Sequence, residues 1–163
     1  MTKPNRESQA ILPVCFLVKG QSCLVVGGGK IAARKAGHLL DAEACVTVVC
    51  PEAGDELLKL AESGLLNHVA RDFEDADVDD KRLVFAATDN EAVNRRVLDC
   101  CRERGILCSA VDSNWTSSDF VTPAICRKKG LVVSVSTGGR SCTRARIVKE
   151  RMAEFIDTLV DDD

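Results

Sequence analysis

Three consecutive glycines, Gly27, Gly28 and Gly29, follow an apolar run and precede a helix-like segment. Together with Ala32 they form the pattern G-x-G-x-x-A. At a strand-to-helix junction the first glycine of this pattern permits a tight turn, the third lets the backbone approach a pyrophosphate, and the small sixth residue lets the helix pack closely. The helix N-terminus adds amide donors and a positive dipole end. The pattern predicts that all three glycines bind a dinucleotide; the alternative is a tight turn without a ligand.

Polar residues follow the next two apolar runs along the chain. Glu52, preceded by Pro51, comes directly after the second run, where its carboxylate could accept hydrogen bonds from ribose hydroxyls. No arginine lies immediately there to bind a 2′-phosphate, which favours NAD over NADP. Thr88 and Asp89 follow the third run, and ligands collect at such strand ends. Asp89 has an equally good alternative as the N-cap of a helix that begins near Glu91.

Asp112 ends a further apolar run and is the only acidic residue between Gly105 and Ser118. A carboxylate at that position is a candidate general acid or base facing a cofactor. The alternative is ordinary turn chemistry, for which aspartate is common. The two histidines, His38 and His68, lie outside this region, so histidine catalysis is not expected.

A loop rich in hydroxyls and glycine, residues 136–141, precedes the last helix-like segment and forms a second candidate anion cradle. Residues 127–151 carry eight basic side chains against one acidic side chain, which favours an anionic ligand. A plain capped loop and a solvated helix face are the alternatives. The candidate substrate-binding residues are Ser136, Thr137, Gly138, Arg140, Ser141, Arg144 and Arg146.

The elements that must position these residues alternate along the chain. The predicted strands are Ser22–Val26, Val46–Cys50, Leu83–Ala87 and Leu107–Val111, and the predicted helices are Lys30–Asp41, Gly54–Ser63 and Glu91–Arg104. The strands are apolar almost throughout, as burial on both faces of a parallel sheet requires. The pattern predicts an α/β fold with a doubly wound, Rossmann-like parallel sheet. Val14–Val18 is expected to pair antiparallel at its edge, and Asn67–Asp72 to add a short strand.

The alternation stops after Asp112, and a polar loop leads to one more predicted strand, Leu131–Ser136, and a long helix, about Thr143–Val160. We therefore expect two domains. Residues 1–113 would form the NAD-binding domain, and residues 114–163 a small module with a C-terminal helix for dimerisation and substrate binding.

The composition is that of a soluble globular protein: 163 residues, 45% hydrophobic, 29% charged, with a net charge of −3. The longest apolar runs are far shorter than the ~20 residues that a membrane helix needs, and the polar N-terminus does not resemble a signal peptide. A cytoplasmic protein without membrane contact is expected. One tryptophan and no tyrosine offer few stacking surfaces, which disfavours nucleic acid as the partner.

Nine cysteines are present, and none of them forms a C-x-x-C pair. Several stand inside apolar runs, where a thiol behaves as a small hydrophobic group. We expect free, mostly buried thiols and no bound metal.

The motifs in their order along the chain resemble the precorrin-2 dehydrogenases, the NAD-dependent module of siroheme synthases. The resemblance covers about Leu12 to Met152. Its residues are Leu12-Pro13, residues 24–29 with Ala32, Arg34-Lys35-Ala36, Ala86-Ala87-Thr88-Asp89, Val93-Asn94, Val111-Asp112, Phe120-x-x-Pro123 and Ser136-Thr137-Gly138-Gly139-x-Ser141. This ordered set is far more specific than the glycine motif alone.

The resemblance implies oxidation of precorrin-2, a polycarboxylate macrocycle, to sirohydrochlorin with NAD as hydride acceptor. Asp112 matches the family's candidate proton-handling aspartate, which in bifunctional members also serves iron insertion. The family's nucleotide contacts match Lys30 and Ile31 after the glycines, and Pro51 and Glu52 after the second strand. Family members are homodimers whose second module contributes to the interface and the active-site cleft. A methyltransferase half, to which the module is fused in some members, is not expected in a chain of 163 residues.

Three residues depart from the family pattern. Glu43 stands where glycine is usual, Cys142 replaces a proline, and Thr137 stands where serine is frequent. With no histidine or close cysteine pair in the tail, iron or cobalt insertion is not favoured. The alternative functions are a regulatory domain that senses NAD without catalysis and a passive tetrapyrrole carrier.

Overall fold

The computed structural model describes residues 10–111 and 115–159. Two compact units are present, Phe16–Val121 and Thr122–Asp163 together with Met1–Cys15. The sequence analysis placed the functional boundary at residues 113 and 114. That functional division stays a prediction.

The first unit contains a five-stranded parallel sheet with helices on both faces. Its strands are β1 Ser22–Val26, β2 Cys45–Val49, β3 Leu66–Val69, β4 Leu83–Ala86 and β5 Leu107–Ala110, and its helices are α1 Lys30–Leu40, α2 Asp55–Glu62 and α3 Glu91–Glu103. The strand order is β3-β2-β1-β4-β5, and every pairing is parallel. The predicted Rossmann-like α/β fold is confirmed.

Both faces of the sheet are buried, as the unbroken apolar strands predicted. In β1 the side chains of Leu24 and Val26 join the cluster under α3, and those of Cys23 and Val25 join the cluster under α1 and α2. This division follows from the two-residue period of a strand. Since β1 pairs with β2 on one side and β4 on the other, the strand order reverses at β1, where such sheets bind ligands.

The predicted antiparallel strand Val14–Val18 is absent, so that prediction is wrong. The segment has no strand conformation, and Val18 instead accepts a hydrogen bond from Gln21 N. The physical reason is the position of β1 inside the sheet. With β2 and β4 on its two sides, β1 has no open edge to which a preceding hairpin strand could pair.

A short 3-10 helix, Asp75–Val78, connects β3 to β4. Arg71 Nη1 and Nη2 donate to the two carboxylate oxygens of Asp77 at 2.8 and 2.6 Å. These hydrogen bonds hold the pKa of Asp77 below its usual value. The predicted strand Asn67–Asp72 is present as β3, Leu66–Val69. It ends three residues earlier than predicted, where the chain turns and Arg71 N donates to the Val69 carbonyl at 3.0 Å.

The second unit consists of an antiparallel hairpin and one helix. Its elements are β6 Ala124–Lys128, β7 Leu131–Val135 and α4 Cys142–Thr158. β6 was not predicted, because Lys129-Gly130 is the only turn signal for the hairpin. In the structure both residues of this turn have positive φ, 48° and 73°. Lys128 Nζ lies 2.5 Å from Asp157 Oδ2 and Lys129 Nζ donates to the Leu159 carbonyl at 2.9 Å, which ties the hairpin to α4.

All nine cysteines are free thiols, and five of them are buried: Cys23, Cys50, Cys100, Cys101 and Cys108. The prediction of free, mostly buried thiols is confirmed. Burial raises the pKa of Cys23 to about 11, so this thiol stays protonated at neutral pH.

Glu43, which replaces the family's usual glycine, has a φ of 58°. The strained turn is needed because Gly20 N donates to the Glu43 carbonyl at 2.7 Å and Glu43 N donates to Leu40. The side chain offers little compensation, since its ion pair with Lys19 at 2.7 Å is exposed on both sides.

Replacing Glu43 with glycine is expected to raise the free energy of unfolding by about 0.5–1 kcal/mol, because glycine adopts a positive φ without the steric cost of a Cβ. Denaturant unfolding would measure the change. Glu43→Gln is the matched control, since it removes the charge and keeps the strain, and its effect should stay within about 0.5 kcal/mol. A Glu43→Gly protein less stable than Glu43→Gln would contradict this account of the turn.

Candidate functional site

The glycine turn between β1 and α1 packs directly on the loop that follows β4. Gly27 has a φ of 129°, and a Cβ at this position would collide with the carbonyl group of Ala87. Gly27 N donates to Val49 O at 2.9 Å, which ties the same residue to β2. Glycine is therefore required here twice, for its backbone conformation and for the close approach of another chain segment.

Gly28 packs equally closely on the loop that follows β2. A Cβ at Gly28 would collide with the carbonyl oxygen of Glu52 and would lie 3.0 Å from Cys50 Sγ. Gly54 N donates to Gly28 O at 2.9 Å. The sequence analysis assigned Gly28 to the cofactor without this packing role; its place in the middle of three consecutive glycines was the only signal for it.

Gly29 differs from its two neighbours because nothing lies within 4 Å of the position that its Cβ would take. It is the N-cap of α1, with φ −83° and ψ −178°, and it provides no side-chain cap. The first turn of α1, which Lys30 and Ile31 begin, contains no acidic residue, and Ile31 is 44% exposed. An open helix N-terminus with this backbone fits a pyrophosphate, which needs amide donors and space.

Pro51 and Glu52 follow β2 and are exposed. The backbone carbonyl of Glu52 is committed to the contact with Gly28, which leaves its carboxylate as the group that can reach a ligand. Cys50, at the base of this turn, is only 4% exposed, and burial raises the pKa of its thiol.

Thr88, a predicted cofactor residue, is held by Asn94 of α3. The Thr88 hydroxyl donates to Asn94 Oδ1 at 2.8 Å, Thr88 N donates to the same oxygen at 3.1 Å, and Asn94 Nδ2 donates to Thr88 O at 3.0 Å. Asn94 is 1% exposed. The sequence analysis named Asn94 only as part of the resemblance and missed that it shapes the β4 end of the site; a further signal was an amide on the apolar face of a helix.

The N-cap of α3 is Asn90, whose side-chain oxygen accepts from Ala92 N at 3.0 Å and Val93 N at 3.3 Å. The alternative that made Asp89 this N-cap is therefore wrong. The helix begins at Glu91, so the capping position falls one residue later than Asp89.

The loop of residues 136–141 belongs to the second unit, and its hydroxyls are used to build the loop itself. Thr137 Oγ1 accepts from Ser141 N at 2.9 Å and donates to Ser141 O at 3.1 Å. Ser141 caps α4 by accepting from Arg144 N at 3.1 Å, and Ser136 Oγ accepts from Gly138 N at 3.2 Å. These bonds favour the capped-loop alternative for the hydroxyls, each of which keeps further hydrogen-bonding capacity.

The arginines of this loop and of the first turns of α4 are exposed to solvent. Arg140, Arg144 and Arg146 are exposed, and Arg146 Nε lies 3.8 Å from Glu150. A surface pair at that distance contributes little and does not cancel the positive charge of the segment.

Asp112, the predicted catalytic residue, lies outside the described residues. Within residues 10–111 and 115–159, no three histidine, cysteine, aspartate or glutamate side chains come together as metal ligands. Over the same ranges, no helix has the length and apolar character to cross a bilayer.

Comparison with known proteins places this geometry among the nucleotide-binding proteins. Residues 14–124 match the family NAD_binding_7, described as "Putative NAD(P)-binding". The siroheme synthase of Thioalkalivibrio sulfidiphilus is 44% identical over 144 residues, which is 88% of this chain and 29% of that protein. The siroheme synthase of Methylococcus capsulatus is 41% identical over 145 residues, 89% of this chain and 30% of that protein.

A solved structure titled SirC, precorrin-2 dehydrogenase, superposes with a TM-score of 0.75 and 26% identity, over 93% of this chain and 72% of that one. The chain spans less than a third of the length of the curated siroheme synthases it matches. The matched segment includes the glycine turn, the loop after β2 and the β4 end with Asn94. The chain belongs to the NAD(P)-binding family.

Proposed function

We propose that the chain is a precorrin-2 dehydrogenase that oxidises precorrin-2 to sirohydrochlorin with NAD in siroheme biosynthesis. The observation that carries this proposal is the extent of the likeness to SirC, which includes the hairpin and α4 as well as the nucleotide-binding unit. A general NAD-sensing domain accounts for the glycine turn alone. It gives no role to the basic segment of the second unit.

The cofactor lies, in this proposal, across the carboxyl edge of the sheet. Its pyrophosphate meets the amides of Lys30 and Ile31 beside Gly29, and its adenosine ribose meets Pro51 and the Glu52 carboxylate. Bound NAD supplies the hydride acceptor. We favour NAD over NADP because the exposed carboxylate of Glu52 would repel a 2′-phosphate and no arginine follows β2 directly.

Oxidation removes a hydride and a proton from the macrocycle, and NAD takes only the hydride. We assign the proton to Asp112, the carboxylate that follows β5 in the sequence. Thr88, fixed by Asn94, borders the β4 end of the same edge. The exposed guanidinium groups of residues 140, 144 and 146, with the loop of residues 136–141, bind the carboxylates of the substrate.

A homodimer is the proposed assembly, and the surface of α4 supports it. Val148 and Phe155 are 39% and 55% exposed and lie seven residues apart on one face of α4, and Leu159, 37% exposed, follows the end of the helix. An apolar stripe of this kind is costly in water and is typical of a helix that packs on a partner. Precorrin-2 would then be the one small-molecule partner besides NAD, and the proposed location is the cytoplasm.

The proposal is tested by incubating the purified chain anaerobically with precorrin-2 and NAD and following NADH by its ultraviolet absorbance. Stoichiometric formation of NADH and sirohydrochlorin is expected. Binding of NAD without turnover would favour the sensing domain, and binding of tetrapyrrole without NADH formation would favour a passive carrier.

Gly29→Asp is expected to abolish NAD binding in calorimetry while the protein stays folded. The new side chain meets no protein atom, but it places a negative charge where the pyrophosphate would lie. Gly37→Asp is the matched control, since a Cβ at this α1 position is equally unobstructed. NAD affinity that is unchanged in Gly29→Asp would remove the pyrophosphate from this helix terminus.

Asp112→Ala is expected to lower kcat by roughly 10²–10⁴, the usual contribution of general acid or base catalysis, with little change in the Kd for NAD. Steady-state kinetics and calorimetry measure the two quantities. Asp99→Ala, at an exposed position of α3, provides a control carboxylate. A fully active Asp112→Ala enzyme would return the residue to turn chemistry.

Changing Arg140, Arg144 and Arg146 to glutamine is expected to raise the KM for precorrin-2 at least about tenfold and to leave NAD affinity unchanged, because each guanidinium binds a carboxylate. The wild-type KM should also rise with salt. The control changes three exposed bases of the first unit, Lys59, Arg82 and Arg95, to glutamine, which alters net charge equally. Equal effects in both triple variants would indicate net charge alone.

A further inference from the structure

Cys50 and His68 form a contact at the carboxyl ends of two neighbouring strands, outside the residues that the proposed reaction uses. His68 lies on β3, paired with Val48 of β2. Its Nε2 atom is 3.1 Å from the carbonyl oxygen of Cys50 and 3.4 Å from Cys50 Sγ. One ring nitrogen therefore contacts both the backbone and the side chain of the residue that follows β2.

The chemistry of the partners fixes the proton on this nitrogen. A carbonyl oxygen can only accept a hydrogen bond, so Nε2 must carry hydrogen and donate it to Cys50 O. The sulfur is a weaker second acceptor of the same hydrogen. Nε2 carries a hydrogen in both the neutral tautomer required here and the protonated ring, and burial raises the pKa of the Cys50 thiol, which stays neutral. The hydrogen bond therefore joins β3 to Cys50, the residue that follows β2.

Cys50, which His68 contacts, packs against the glycine turn at Gly28. Cys50 Sγ would lie 3.0 Å from a Cβ at Gly28, the Glu52 carbonyl packs on the same glycine, and Gly54 N donates to Gly28 O at 2.9 Å. The turn of residues 50–54 is thus held at its start by His68 and by the 3.3 Å hydrogen bond from Cys50 N to Val69 O, and at its end by Gly28. Pro51 and Glu52, which would meet the adenosine ribose, lie between these two points.

We propose that His68 is a positioning residue for the adenosine half of the dinucleotide: its Nε2–H fixes Cys50 and thereby sets where Pro51 and Glu52 meet the ribose. The inference rests on the proposed function, because it requires that the carboxyl edge binds a dinucleotide. Loss of the donor leaves Cys50 tied to β3 by the hydrogen bond from Cys50 N to Val69 O, at 3.3 Å, so the turn is loosened and part of the binding energy is then spent on ordering it. The effect falls on cofactor affinity, since His68 is remote from β4 and β5 at the other side of the sheet.

Two substitutions at His68 separate the donor from the bulk of the ring. The glutamine amide nitrogen reaches about as far as Nε2, whereas the asparagine amide stops near Nδ1. His68→Asn is expected to raise the Kd for NAD and for ADP-ribose about tenfold in calorimetry, and His68→Gln to restore most of the affinity. Neither should change kcat at saturating NAD or the KM for precorrin-2. Asn67→Ala, at the exposed neighbouring position, is the control.

Thermal unfolding of each variant checks that the fold is retained. Wild-type affinity in His68→Asn, or equal losses in His68→Asn and His68→Gln, would overturn the inference. A parallel rise in the KM for precorrin-2 would indicate general loosening and would overturn it too. If the wild-type chain binds neither NAD nor ADP-ribose, the proposed function itself fails. If the wild type binds both ligands and His68→Asn binds them equally well, only the role of His68 is overturned.

Discussion

The close backbone contacts of the glycine turn are the constraint on which the carboxyl edge of the sheet depends. Gly27 packs on the Ala87 carbonyl after β4, and Gly28 packs on the Glu52 carbonyl after β2. The ends of β1, β2 and β4 are thereby held in close backbone contact. Because two glycines are consumed by protein contacts, Gly29 alone is left with open space, at the start of α1. The open side of the turn, at Gly29, is where we propose that the pyrophosphate binds.

Polar side chains among the candidate site residues of each unit mainly hold loops in place. Asn94 is buried and satisfies the backbone and hydroxyl of Thr88 with three hydrogen bonds. Thr137 and Ser141 do the same for the loop before α4. A buried polar group without a partner is costly, so these residue types occur where a loop must be fixed. Side chains that sequence patterns assign to a ligand can therefore be engaged in hydrogen bonds within the protein, as those of Thr88, Thr137 and Ser141 are.

The two units carry different chemistry. The first supplies an open helix N-terminus and the carboxyl edge of a parallel sheet, which suit a dinucleotide. The second supplies exposed guanidinium groups and the apolar stripe of α4, which suit an anionic substrate and a partner helix. The proposed oxidation of a polycarboxylate macrocycle would use both sets, and the likeness to SirC over 93% of this chain extends beyond the nucleotide-binding unit.

The sequence by itself determined the parallel sheet, the helices around it and the location of the glycine turn, because hydrophobic periodicity and glycine spacing are local signals. It also indicated the free thiols and, through the resemblance, the family. Only the tertiary structure decided that β1 is central, which excluded Val14–Val18 as a hairpin strand, and that Asn90 caps α3 in place of Asp89. The roles of Gly28, Asn94 and His68 depend on contacts between residues far apart in the chain. No local pattern records such contacts, since their energy comes from packing that exists only once the strands are side by side.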